Sequence, residues 1–336
     1  MRNPDVNNNK NKQFVTHHNL TNKHLLEKLI SSIQTTIPKP HHPLHEEAKL
    51  HFERPGKHLR GLTSLLLSQA LELPVKPSLD WAVAVELMHN ASLVHDDICD
   101  KDTMRRGQTS VWLKFGTDKA LCLGDWLVAQ SFKAAAKSFK DSKASAMAIA
   151  SLAEAMATLC AGQAREFDRK PVLDWFTYDR IVTEKTTPLL KASVLGPLHM
   201  AGETTLIKPL SELFTKVGLA YQMANDLQNV MIDDGHEDSF SDLKRGAPNA
   251  VIVSYVAQVV MKQHNEFLDW YETRSDSQFS FWKHEIIESE AIHNTCARLN
   301  HMINDIDKTI LSLPNHISES LMPMISYLQQ IRVVAK

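Results

Sequence analysis

Asp96 and Asp100 stand four residues apart in the string HDDICD, so on a helix their carboxylates share one face. Like charges at that spacing repel by about 0.2–0.5 kcal/mol. A Leu- and Val-lined segment keeps such a cost where something offsets it, and a hard divalent cation does. Mg²⁺ suits the position, because it is usually held by one or two carboxylates plus phosphate oxygens of a substrate. Arg105 and Arg106 follow just downstream. Their planar guanidinium groups grip phosphates in bidentate fashion. Metal-binding acids followed at once by arginines suit a diphosphate. His89 lies two helical turns before Asp96 on the same face, close enough to join a phosphate site.

A second basic group occupies RPGKHLRG, residues 54–61. Pro55 and Gly56 break the chain, which sets Lys57 and Arg60 in the first turn of a Leu-rich helix over about 58–72. Cations there oppose the helix macrodipole and need another reason to be present. An anion is that reason: helix N-termini offer free N–H groups, and Lys57, Arg60 and Arg106 together make a three-cation cup.

These side chains have to be positioned by helices. Leu25, Leu26, Leu29, Ile30 and Ile33 form one helical stripe, and Trp81, Val85, Met88 and Ser92 another. Pro38, Pro40 and Pro43 end the first helix, while Pro74 and Pro77 precede the one that carries the acids. Helical patterns continue over about 119–139, 143–168, 175–201, 207–232, 247–272, 279–312 and 316–334, with loops near 101–110, 168–174 and 233–247. The run NAVIVSYVAQVV, 249–260, is β-branched enough to pass for a buried strand, but no second strand-like run pairs with it, so it reads as a buried helix. Only 11 glycines in 336 residues argue against a turn-rich sandwich or barrel. Residues 1–18 are Asn-rich and polar, which predicts a disordered arm before one domain over 19–336.

Bulk properties exclude other roles. With 37 basic and 39 acidic residues the net charge is −2, which gives no reason to expect nucleic acid as partner. Four scattered cysteines without a CxxC pair suggest neither a disulfide framework nor a zinc ribbon. No transmembrane segment and no signal peptide are expected, which implies a cytoplasmic protein. HEEAKLH and HEIIESEAIH lack the HExxH metalloprotease spacing. No nucleophile elbow marks a Ser or Cys hydrolase.

From about residue 20 to the C-terminus the chain resembles the trans-isoprenyl diphosphate synthase (polyprenyl synthetase) family. Gly56-Lys57-x-x-Arg60 matches its GKxxR element, and Asp96-Asp97-Ile98-Cys99-Asp100 its first aspartate-rich motif. Met104-Arg105-Arg106-Gly107 follows at the family's spacing, Lys185-Thr186 matches the KT element, and Tyr221-Gln222 the aromatic-Gln pair before the second aspartate-rich motif. The resemblance implies an all-α isoprenoid synthase bundle around a central apolar cavity, usually a homodimer, and a Mg²⁺-dependent prenyltransferase. It implies that Lys57, Arg60, His89 and Arg106 hold isopentenyl diphosphate. Asp96, Asp97 and Asp100 form the first metal motif, and Arg105, Lys185, Thr186 and Gln222 touch the allylic diphosphate. Asp96, Asp100, Arg105 and Lys185 carry the ionisation step. Ala91 and Ser92 are small where short-chain members tend to carry an aromatic, which implies a product longer than three isoprene units.

The second motif departs from the family. Asn225-Asp226-Leu227-Gln228-Asn229 stands where DDxxD is expected, so two of three acids are amides. The resemblance implies that Asn225, Asp226, Asn229 and Asp233 make the second metal set, in which an amide carbonyl is still an oxygen ligand, but a neutral one. Two lysines that the family places downstream are also missing, with Lys244 or Arg245 as possible substitutes. Three readings follow: an elongating synthase that tolerates the amides; irregular coupling or class I terpene cyclisation on an Asn225/Asn229/Asp233 metal set; or a weakly active subunit of a heteromeric synthase. Regular elongation is favoured, because a pure cyclase has no use for the Lys57, Arg60 and Arg106 pocket.

Overall fold

Apolar residues at helical spacing build nearly the whole molecule. The computed structural model describes residues 22–139, 142–167, 173–231 and 240–334. The arm expected over 1–18, part of the expected loop at 168–172 and Asp233 lie outside the described residues. The described residues fall into two compact units, one reaching to Leu152 together with Ala192–Thr204, the other comprising Ala153–Lys191 and the chain from Thr205 onward. Two of the three unit boundaries, at 152/153 and 191/192, fall inside helices, and the third, at 204/205, falls in a short turn.

The first unit begins with α1 (22–36), α2 (His45–Glu53), α3 (Leu59–Ala70) and α4 (Val75–Asp100). Two-residue strands β1 (Met104–Arg105) and β2 (Gln108–Thr109) pair as an antiparallel hairpin within the expected loop. Helices α5 (Val111–Phe115) and α6 (Thr117–Ala135) follow, and then α7 (Ser142–Glu166), of which residues up to Leu152 belong to this unit and the rest to the second. Helix α4 is the axis of this unit. Residues Trp81 to Met88 are all at most 4% exposed, so it is enclosed on every side rather than on one stripe. It packs against α3, α5 and α6. Trp81 donates its indole N–H to the Ala192 carbonyl at 3.0 Å, which satisfies the one polar atom of a buried ring.

The second unit carries α8 (Trp175–Lys185), the start of α9 (Thr187–Ala201), which belongs to the first unit from Ala192 on, then α10 (Ile207–Met231), α11 (Ser241–Arg245), α12 (Ala250–Val256), α13 (Met261–Thr273), α14 (Asp276–Glu288), α15 (Ala291–Leu311) and α16 (Asn315–Val334). Here α10 packs against α8, α12, α15 and α16. The segment 249–260 is helical where it is buried, with the Asn249 side chain capping α12 by accepting from the Val251 N–H at 2.9 Å.

Three segments expected as single helices are broken. Pro188 lacks an N–H to bond the carbonyl four residues back and suits the first turn of a helix, so 175–201 divides at Thr186 and α9 starts anew at Thr187. Val260, β-branched, adopts extended backbone before α13, and 247–272 divides there. Ser289 is extended too, and its hydroxyl accepts from the Ala291 N–H, dividing 279–312. One stretch, Ser145–Glu166, is long and apolar enough to cross a membrane by length and composition, where the sequence reading expected none.

Candidate active site

Helix α4 holds the first unit's functional side chains in place, one residue at a time. Glu86 accepts from His58 Nδ1 at 2.9 Å and from the Gly61 N–H at 2.8 Å, deep in the unit. Helix α3 lacks a cap from its own side chains, and His58 there is left-handed with φ of 49°. Glu86 therefore supplies from α4 the negative charge that the α3 N-terminus and its cations need. Burial pushes the Glu86 carboxyl up, but His58, the Gly61 N–H and Arg60 outweigh it and the net shift is downward. One turn on, His89 Nε2 accepts from Arg60 Nη1 at 3.1 Å, which leaves the ring proton on Nδ1. Burial, then the charges of Arg60, Arg106 and Arg105, hold His89 well below its ordinary pKa and hence neutral. Lys57 is exposed at the rim of the same loop.

The hairpin after α4 brings in the arginines. Arg106 and Gly107 form its turn, both with positive φ, 54° and 71°. The turn is clamped to the end of α2: Arg54 donates to the Gly107 carbonyl at 2.9 Å, Arg106 to the Arg54 carbonyl at 3.2 Å, and Gln108 to the Leu50 carbonyl at 2.6 Å. The Arg106 guanidinium lies on Gly56 so closely that an added Cβ would sit 2.7 Å from Nη2 and push the guanidinium aside. Arg105 takes another direction. Its guanidinium pairs with Asp97, which is 1% exposed, and reaches Asp102 at 3.3 Å. Burial raises the Asp97 carboxyl to about 6 even though Arg105 draws it down. Asp96 and Asp100 flank it on the last turns of α4, both half-buried.

In the second unit, Lys185 ends α8 and pairs with Glu166 of α7, and Thr186 donates to Gln222 Oε1 at 3.4 Å. Asp226 is 1% exposed and receives three donors: Tyr178 OH at 2.7 Å, Gln222 Nε2 at 2.8 Å and the Ala250 N–H at 2.8 Å. It thereby ties α8, α10 and α12 together. Burial, reinforced by Asp242, pushes it up to about 7. Asn225 and Asn229 are half-buried on either side. Asn229 Nδ2 donates to Ser241 Oγ at 2.8 Å, and its Oδ1 is buried with no partner. Of the candidate substitutes for the missing lysines, Arg245 pairs with Asp242 at 3.0 Å and Lys244 stands over the Phe279 ring.

A short chain isoprenyl diphosphate synthase of Methanocaldococcus jannaschii is 28% identical over 240 residues, which is 70% of this chain and 72% of the relative. A geranylgeranyl diphosphate synthase of Saccharolobus solfataricus is 28% identical over 221 residues, 63% of this chain and 67% of that one. The crystal structure of geranylgeranyl pyrophosphate synthetase from Pyrococcus horikoshii Ot3 matches with a TM-score of 0.81 at 25% identity, covering 95% of this chain and 98% of that chain. The family model for polyprenyl synthetases matches residues 41–285. The chain belongs to the polyprenyl synthetase family.

As a polyprenyl synthetase it is a prenyltransferase with the all-α fold of that group. Prenyl synthases of this family are generally metal-dependent. The donors here fit magnesium. Among the described residues no three or more His, Cys, Asp or Glu side chains gather as a metal cage. Within the first unit, the two half-buried carboxylates of Asp96 and Asp100 are a sparse pair of hard donors, of the sort Mg²⁺ completes with phosphate oxygens and water; within the second, Asn229 offers an unpartnered amide oxygen. Two residues of α7 were missed by sequence reading: Glu166, which pairs with Lys185, and Gln163, one turn before it. Gln163 is 8% exposed with both amide atoms unpartnered. Their signal was the spacing Gly162-Gln163-x-x-Glu166, which faces the KT element only once α7 and α8 have packed.

Proposed function

We propose that this polyprenyl synthetase condenses an allylic diphosphate with isopentenyl diphosphate in a Mg²⁺-dependent reaction, giving a longer trans-prenyl diphosphate. The observation that carries this is the doubled anion provision along α4: the Arg60–His89 contact and Arg106 beside its middle, Asp96 and Asp100 in its last turns. A reaction with one diphosphate needs only one such provision. Lys57, Arg60, His89 and Arg106 bind isopentenyl diphosphate, and neutral His89 serves there as a hydrogen-bond donor through Nδ1. Asp96 and Asp100 would hold the metal, with Asn225, Asn229 and Asp233 as a second, less charged set. Bound there, Mg²⁺ supplies the positive charge that lets diphosphate leave. Arg105, aimed by Asp97, joins Lys185, Thr186 and Gln222 on the allylic diphosphate. The allylic C–O bond breaks, the isopentenyl double bond attacks the resulting cation, and the released diphosphate takes the proton. Asp97 and Asp226 act as supports in this reading.

The orphaned Oδ1 of Asn229 supports a second motif that still offers an oxygen to a metal, because a buried unpaired acceptor costs about 1–3 kcal/mol. We also infer a homodimer: only 22% of the apolar stretch within Ser145–Glu166 is buried in the single chain, and a second copy would cover it.

The test is mass analysis of products from the purified protein given an allylic diphosphate, with and without isopentenyl diphosphate and with Mg²⁺ or a chelator. Prenyl diphosphates of more than three isoprene units are expected only with both substrates and the metal. Consumption of the allylic substrate alone to a hydrocarbon would establish cyclisation instead, and no diphosphate release would mark a non-catalytic partner.

A further inference from the structure

A long arginine side chain carries about 2 kcal/mol of rotamer entropy, so a phosphate grip built on one is tight only where the guanidinium is already aimed. The hairpin turn sets where Arg106 leaves the backbone, and Gly56 gives it a floor. What meets its far end is Asn90. This amide is 1% exposed on α4, next to His89 and one turn after Glu86. Its Nδ2 donates to the Glu86 carbonyl at 2.7 Å, which fixes which way the amide lies. Its Oδ1 therefore points to two donors, His51 Nε2 at 3.0 Å and Arg106 Nη2 at 3.5 Å.

We propose that Asn90, backed by His51 of α2, is the positioning residue that aims the Arg106 guanidinium at isopentenyl diphosphate; the assignment rests on the condensation reading above. His51 is 4% exposed. Burial, together with the charge of Arg106, lowers its pKa to about 4, so at neutral pH it donates without adding charge. The contact from Arg106 to Asn90 is long for a hydrogen bond, so it orients the cation without saturating it. The chemistry of the residue type matters here. A neutral amide accepts from a guanidinium and leaves its charge to the ligand, whereas a carboxylate neutralises it, as Asp97 does for Arg105. The two neighbouring arginines are thus braced by opposite means, one by an ion pair and one by an amide.

The test uses the full-length protein and calorimetric titration of isopentenyl diphosphate and, separately, of an allylic diphosphate. Asn90→Ala removes the acceptor, and Asn90→Asp keeps its shape but adds the neutralising charge. Both are expected to weaken isopentenyl diphosphate about tenfold, close to 1.4 kcal/mol, and to leave the allylic Kd within about twofold. In steady-state assays the loss should fall on the KM for isopentenyl diphosphate rather than on kcat. His51→Gln, which keeps an N–H donor, should bind within about threefold of the parent. Asn90→Asp binding isopentenyl diphosphate normally, or both ligands weakening alike, would overturn the proposal. If Asn90→Ala fails to fold, the isosteric Asn90→Asp decides. A parent protein that shows these binding contrasts but forms no product would sink the condensation reading and leave the brace standing. Failure of the parent to bind isopentenyl diphosphate at all would sink both.

Discussion

The last turns of α4 and of α10 carry the same five-residue frame with different charge. In Asp96-Asp97-x-x-Asp100 and in Asn225-Asp226-x-x-Asn229, the first and fifth residues are half-buried and the second is 1% exposed. Asp97 is committed to Arg105, and Asp226 to Tyr178, Gln222 and the Ala250 N–H. The middle acid is therefore bonded into the scaffold, and under the proposed function the outer two positions serve the ligand. With amides at its outer positions the α10 frame carries less charge than the α4 frame while keeping its buried acid, and removing that buried, fully bonded carboxylate would cost far more than changing a half-exposed residue.

Breaking the charged frame should have the largest effect. Asp96→Ala is expected to lower product formation at saturating substrates at least about a hundredfold, with the melting temperature little changed, since Asp96 stands outside the buried lattice. Asp97→Ala should do the reverse in part. It unpairs Arg105 and should lower unfolding free energy by about 3 kcal/mol in a denaturant titration. A rate near the parent's in Asp96→Ala would remove the metal assignment, and an unchanged denaturation midpoint in Asp97→Ala would remove the scaffold one.

Restoring charge to the amide frame sharpens the same contrast from the other side. Asn225→Asp with Asn229→Asp should shift the Mg²⁺ concentration for half-maximal elongation down by about tenfold, because two neutral oxygens become anionic. Unchanged kinetics at limiting Mg²⁺ would mean that the charge of α10 is immaterial to the metal.

Much of this was legible in the sequence where the signal is local. The i, i+4 acids, the stripe through Trp81 and Val85, and the buried helix at 250–256 depend on spacing alone, and the structure carries all three as helices. The sequence reading grouped Asp97 and Asp226 with their neighbours as metal ligands, because nothing in a string distinguishes an acid that faces in from one that faces out. Their partners are remote: Tyr178 lies 48 residues from Asp226, and Ala250 lies 24. The hairpin at 104–109 was invisible because two-residue strands have no alternation to read. Likewise Asn90 carries no motif. Its role exists only once α2, α4 and the hairpin turn converge.

The two units should also respond to pH with opposite sign. In the first, His51 titrates near 4 and His89 well below its ordinary value, while both take up protons near 6.5 when unfolded. Between about 4 and 6.5 the unfolded chain binds more protons there, so these histidines withdraw stability as the solution is acidified. In the second, Asp226 is raised to about 7 by burial and Asp242, against 3.8 when exposed. There the folded chain binds more protons, so its contribution is full below about 4 and is lost as pH rises towards 7. The two slopes oppose each other between about 4 and 6.5. Asp226→Asn removes the second slope only, and its amide retains hydrogen-bonding capacity if Gln222 turns its own amide over. Unfolding free energy in that variant should therefore rise more steeply with pH than in the parent, by at most one proton, about 1.4 kcal/mol per pH unit. Parallel curves from pH 4.5 to 6.5, measured by denaturant titration, would show that the three donors keep Asp226 ionised in the folded chain and that only the first unit is pH-sensitive in this range.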